Sequence, residues 1–132
     1  GLNEVALGIS VPKYWVILFE KILGYRTAET SLLTGSMLTP QQALQGGLLN
    51  QLTTKGQLMS DAEVVMNKYL KNPDAGRIAT KTHLRNEFAK KWQDYCEEEA
   101  KGAWTMLSSP AISAALSQVI AKLSAPKAKA KL

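Results

Sequence analysis

Gly1-Leu2-Asn3-Glu4-Val5-Ala6-Leu7-Gly8-Ile9-Ser10-Val11-Pro12-Lys13-Tyr14-Trp15 is the stretch that decides how the rest of the chain is read. One carboxylate, Glu4, stands among Leu2, Val5, Leu7 and Ile9. Such a setting reads as the end of a strand, with the acid surrounded by apolar neighbours. Gly8 and Pro12 then punctuate the backbone before a helix begins. Burial disfavours charge on a carboxyl group, and a carboxyl that both takes and returns a proton is a useful acid-base catalyst. The bland alternative is a solvated acid, one of eleven Asp and Glu residues in the chain.

Outward from this stretch the pattern is helical. Ser10 and Pro12 open a helix in which Tyr14 or Trp15, Leu18, Phe19 and Ile22 recur at helical spacing, and Gly24 closes it. A second helix is predicted from about Thr27 to Gly35. Thr39-Pro40-Gln41-Gln42 is a capping box: Thr39 caps, proline takes the first helical position, and Gln42 reaches back. Short extended pieces are predicted at Met37-Leu38 and at Leu48-Leu49-Asn50-Gln51-Leu52. Helices follow at about 56–71, 73–84 and 85–107, and a last one at about 110–123. The fold class expected is mainly α with two or three very short strands.

Three segments carry a family resemblance. Leu2-Asn3-Glu4, Leu7-Gly8-Ile9, Pro12 and Trp15 form the first. Gly24-Tyr25-Arg26-Thr27-Ala28-Glu29, followed by Leu33 and Gly35, forms the second. Pro40-Gln41-Gln42-Ala43-Leu44-Gln45-Gly46-Gly47-Leu48-Leu49-Asn50 forms the third. Together they resemble the 3,2-trans-enoyl-CoA isomerases (dodecenoyl-CoA isomerases) of the crotonase, or enoyl-CoA hydratase/isomerase, superfamily. The resemblance implies an α/β crotonase-like fold whose spiral core ends within residues 1–52. It implies a helical oligomerisation region over 53–123, and 124–132 reads as a lysine-rich tail. It further implies that the chain is a C-terminal piece.

The same resemblance implies the chemistry. Glu4 falls at the family's acid-base position. A base must carry a proton from C2 to C4 of a 3-enoyl-CoA in fatty acid β-oxidation, while fixed N–H donors meet the charge on the thioester oxygen. In the family those donors lie in segments preceding this region, so these 132 residues alone are expected to be inactive. No cofactor is implied beyond the coenzyme A of the substrate. A homotrimer or hexamer is implied. Hydratases of the superfamily use two glutamates and commonly place a P-G-x-G-G segment after the second. Here Pro12 is followed by Lys13-Tyr14-Trp15, which favours the isomerase.

Other residues are weighed against plainer roles. Leu2, Tyr14, Trp15 and Phe19 are candidates for lining an acyl pocket, although helix-spaced aromatics commonly serve as core. Arg77, Lys81 and Arg85 recur at i, i+4 and i+8 and can meet a CoA phosphate or a neighbouring subunit; a solvated basic stripe is the alternative. Glu97-Glu98-Glu99 reads as a solvated face and Cys96 as a small core residue. With one Cys and one His, no protein-made metal site is expected, and His83 reads as a helix-surface residue.

Net charge is +5, with much of the excess in Lys122, Lys127, Lys129 and Lys131. A basic helical binding module for nucleic acid or an acidic membrane is therefore a rival class, as is a pure assembly domain. The lysines lack interleaved aromatics and no recognition-helix motif appears, which argues against nucleic acid. No apolar run approaches the roughly 20 residues that span a bilayer. Ala130-Lys131-Leu132 resembles the S-K-L peroxisomal address and would be read by the import receptor. A peroxisome or glycosome is expected on that ground, with the mitochondrial matrix as the alternative.

Overall fold

A computed structural model describes residues 1–124 of the chain. They form one short 3-10 turn and six α-helices: α1 (Lys13–Leu23), α2 (Tyr25–Thr34), α3 (Pro40–Gln45), α4 (Leu58–Leu70), α5 (Asp74–Leu107) and α6 (Pro110–Ser124). The targeting-like residues Ala130, Lys131 and Leu132 lie outside the described residues. The chain divides into two compact units. One holds Gly1–Met37 together with the described residues from Glu98 onward, and the other is Leu38–Glu97.

The first unit is organised by α1 and α2, which pack on each other. Gly24 joins them at a positive φ of 76°. With so short a joint the helices must double back, and their apolar sides meet. Phe19 of α1 and Ala28 and Leu32 of α2 are buried, as are Ile9 and Ile112. Ala28 is only 2% exposed, which permits close approach at the helix crossing. The C-terminal end of α2 is closed at Gly35, with φ 62° and ψ 27°. There the Ser36 N–H donates to the Ser31 carbonyl at 3.0 Å, satisfying a carbonyl that the helix leaves open.

The second unit opens with the capping box expected from Thr39-Pro40-Gln41-Gln42. The Gln42 N–H donates to Thr39 Oγ1 at 3.2 Å, and the Thr39 N–H donates to Gln42 Oε1 at 2.9 Å. The next segment departs from expectation. No strand forms among the described residues, neither at 37–38 nor at 48–52. At 48–49 the reason is local: the Leu48 and Leu49 N–H groups both turn back to the Ala43 carbonyl, at 2.8 and 3.1 Å. An amide spent on closing a helix is not available to a ladder, and an isolated extended piece has no ladder without a partner.

The two helices expected at 73–84 and 85–107 are one continuous helix, α5. No proline or glycine occurs from Arg77 to Lys101, so nothing stops propagation across Leu84 and Arg85. Gly102 lowers helix propensity without ending the helix. Among the described residues no helix is long and apolar enough to cross a membrane.

Candidate active site

Glu4 sits at the start of a 3-10 turn, Glu4–Leu7, and not at the end of a strand. Backbone bonds close the turn at both ends. The Ala6 N–H donates to the Asn3 carbonyl at 3.0 Å, the Gly8 N–H to the Val5 carbonyl at 3.1 Å, and the Ile9 N–H to the Glu4 carbonyl at 3.1 Å. Gly8 ends the turn at φ 73°, a conformation that glycine adopts without a Cβ penalty. Ile9, buried, then anchors the chain as it leaves the turn.

The rest of the first unit holds this turn from two sides. The end of α2 reaches it through Gly35, where a Cβ would come within 3.2 Å of Val5 Cγ2 and 3.6 Å of the Ala6 Cβ. The α6 helix reaches it through Ile112, whose Cδ1 lies 3.5 Å from the Cβ position of Gly8. Ser10 Oγ donates to Met106 Sδ at 3.5 Å, tying the loop after the turn to the end of α5. The backbone that carries Glu4 is therefore held from both sides by packed elements.

The Glu4 carboxyl is one of two among the described residues of this unit with a shielded, unpartnered oxygen, that of Glu99 being the other. Its Oε2 atom is shielded from solvent and has no hydrogen-bond partner among the described residues. A shielded acceptor without a donor costs free energy, on the order of 1–3 kcal/mol. Such an oxygen is the kind that a reacting ligand group satisfies.

The other candidates fall differently. Leu2 and Tyr14 are half-buried. Phe19 is buried in the α1–α2 core, which is the plainer role weighed for it. Trp15 is 46% exposed. Arg77, Lys81 and Arg85 belong to the second unit, along one edge of an open trough between α4 and the first turns of α5. Arg77 is paired with Asp74 through Nη2, so it is not a merely solvated cation. His83 is exposed, as expected.

Two readings are corrected by the phase of α5. Phe88, Trp92, Tyr95 and Glu99 recur at spacings of four, three and four, and all are half-buried. Glu99 is thus on the covered stripe, with Oε1 shielded and unpartnered, while Glu97 and Glu98 face solvent. Cys96 is exposed and not core, because it lies about 100° around the helix from Tyr95. The covered position of Glu99 was present in the spacing and hidden by the run of three acids.

A model of the family described as enoyl-CoA hydratase/isomerase matches residues 1–122. The mitochondrial enoyl-CoA delta isomerase 1 of Mus musculus is 31% identical over 127 residues, covering 96% of this chain and 44% of the mouse protein. The Homo sapiens protein of the same name is 28% identical over 127 residues, covering 96% of this chain and 42% of the human one. The crystal structure of human mitochondrial delta3-delta2-enoyl-CoA isomerase superposes with a TM-score of 0.85 at 28% identity. That superposition covers 93% of this chain and 48% of the human one. The chain therefore spans less than half the length of the relatives it matches.

Proposed function

Because the chain belongs to the enoyl-CoA hydratase/isomerase family, we propose that it is the Glu4-bearing part of an enzyme that converts a 3-enoyl-CoA into a 2-trans-enoyl-CoA. The observation that carries this reading is the shielded, unpartnered Oε2 of Glu4. The isomerase names of the mouse and human relatives support it.

The reaction moves one proton and one double bond. The Glu4 carboxylate takes a proton from C2 of the acyl chain, and the electron pair spreads over a dienolate thioester. The double bond settles between C2 and C3, and the Glu4 carboxyl returns the proton at C4. One carboxyl can serve both carbons because they lie two bonds apart. The dienolate oxygen needs preorganised N–H donors, which the family resemblance assigns to segments other than these. The isolated chain is accordingly inactive in this reading. A homotrimer or hexamer and a place in fatty acid β-oxidation belong to the same reading. The relatives' names favour the mitochondrial matrix over a peroxisome or glycosome.

The test is a spectroscopic isomerisation assay with a 3-enoyl-CoA on the full-length enzyme carrying this sequence, beside Glu4→Gln. Loss of kcat by a factor on the order of a hundred to ten thousand is expected, with KM little changed. Unchanged kcat would remove Glu4 from the chemistry. Faster turnover of a 2-enoyl-CoA with water would replace the isomerase reading by the hydratase one.

A further inference from the structure

The corner between α5 and α6 meets the turn that carries Glu4. Ile112, the third residue of α6, is 8% exposed. Its Cδ1 stands 3.5 Å from the position a Cβ would take on Gly8, the residue that ends the turn. Gly8 has no side chain of its own, so the Ile112 methyl packs directly over the backbone of the turn. Two residues on, Ser10 Oγ donates to Met106 Sδ at 3.5 Å. The corner thus touches the chain on both sides of the buried Ile9.

Hydrogen bonds fix the corner itself. The Ser109 N–H donates to the Met106 carbonyl at 3.1 Å, and the Ser113 N–H donates to the Ser109 carbonyl at 3.0 Å. The Ile112 N–H donates to Ser109 Oγ at 3.4 Å, which caps the start of α6. Met106 and Ile112 therefore stand in a set relation across one serine. In the turn, the Gly8 N–H is held by the Val5 carbonyl and the Ile9 N–H by the Glu4 carbonyl. A shift of Gly8 or Ile9 is passed to the Glu4 backbone through those bonds. Glu4 Oε2 has no donor among the described residues, so no hydrogen bond at that atom aims the carboxyl. Its aim depends on the backbone beneath it.

We propose that Ile112 is a positioning residue for Glu4, holding the turn from the α5–α6 corner so that the carboxyl meets the reacting carbons. Proton transfer demands this, because a small displacement of the base from the carbon it serves lowers the rate steeply. The plainer role for Ile112 is to fill the core, and it has a different consequence. A pure core residue sets stability and leaves the chemistry of the folded molecules alone. The inference rests on Glu4 as the acid-base group of the proposed reaction. The contact lies inside the first unit and is already covered, so it does not depend on what lies against the outer faces of that unit.

Ile112→Val removes Cδ1, the atom that meets Gly8, and keeps the rest of the side chain, a mild truncation that folded proteins tolerate. The full-length enzyme carrying this sequence is assayed with a 3-enoyl-CoA as wild type, Ile112→Val, Glu4→Gln and the double variant. Rates are expressed per folded molecule, read by circular dichroism. Ile112→Val is expected to lower kcat about threefold to tenfold, with KM within about twofold of the wild type. In the Glu4→Gln background the same change is expected to lower kcat by less than about 1.5-fold, because the methyl acts through the carboxylate. Unchanged kcat in Ile112→Val overturns the inference. An equal loss in both backgrounds also overturns it and assigns Ile112 to the core alone. A raised KM with kcat unchanged overturns it in favour of substrate binding. Wild-type kcat in Glu4→Gln overturns the acid-base reading and this inference with it. An impaired Glu4→Gln beside an unimpaired Ile112→Val overturns this inference and leaves that reading standing.

Discussion

The backbone of Gly35 passes Val5 so closely that a Cβ at Gly35 would stand 3.2 Å from Val5 Cγ2. Gly35 also holds φ at 62°, a conformation disfavoured for residues with a Cβ. Two separate demands thus fall on one glycine, and they join the end of α2 to the turn that carries Glu4. Gly35→Ala is expected to destabilise the chain by about 1–2 kcal/mol from the backbone alone. Displacement of Val5 adds to that. Urea unfolding followed by circular dichroism reads the loss, and a midpoint equal to that of the wild type would show that the turn gives way freely.

Gly102 is the opposite case. It lies inside α5 with nothing within 4 Å of its Cβ position. Alanine there adds helix propensity and removes freedom from the unfolded chain, without meeting a neighbour. Gly102→Ala is expected to stabilise by about 0.5–1 kcal/mol in the same urea experiment. A loss of stability would mean that α5 needs the glycine for a close approach.

What the sequence made legible was mostly local. Thr39-Pro40-Gln41-Gln42 could be read because both partners of the capping box lie within four residues. The glycine at the end of α2 could be read for the same reason. The family motifs in the first fifty residues were legible as a pattern, and the family match extends beyond them to residue 122. The strands failed because pairing is non-local: the amides of Leu48 and Leu49 had a nearer acceptor in Ala43. Glu4 was placed in the right apolar company but on the wrong element, since a four-residue 3-10 turn has too few positions to show a period. Trp15 and Cys96 show the limit of reading burial from residue type, for both are exposed where helical phase sets the outcome.

The Ala130-Lys131-Leu132 ending and the mitochondrial names of the relatives point to different compartments. A reporter carrying the last dozen residues at its own C-terminus separates them. If the tripeptide is an address, the reporter is expected to collect in peroxisomes, and to lose that pattern when Leu132 is deleted. A diffuse reporter leaves the mitochondrial reading standing and reduces the ending to a basic tail.

Tyr25 gives the chain a titration that can be followed by ultraviolet absorbance. Its hydroxyl donates to Glu29 Oε1 at 2.7 Å across one turn of α2. That hydrogen bond, and then the negative charge of Glu29, raise the Tyr25 phenol above its ordinary value of 10.0, with smaller contributions from burial and Glu20. The proton is therefore held more tightly in the folded chain than in the unfolded one. By linkage the contribution to stability is fully present below the unfolded-state value and is lost as pH rises through the folded-state value. Tyr25→Phe should remove one ionisation from the tyrosinate absorbance curve, and in the wild-type background Glu29→Gln should move the Tyr25 ionisation to lower pH. If Glu29→Gln leaves the curve unmoved, the pair does not hold in solution and α2 ends its first turns without this tie.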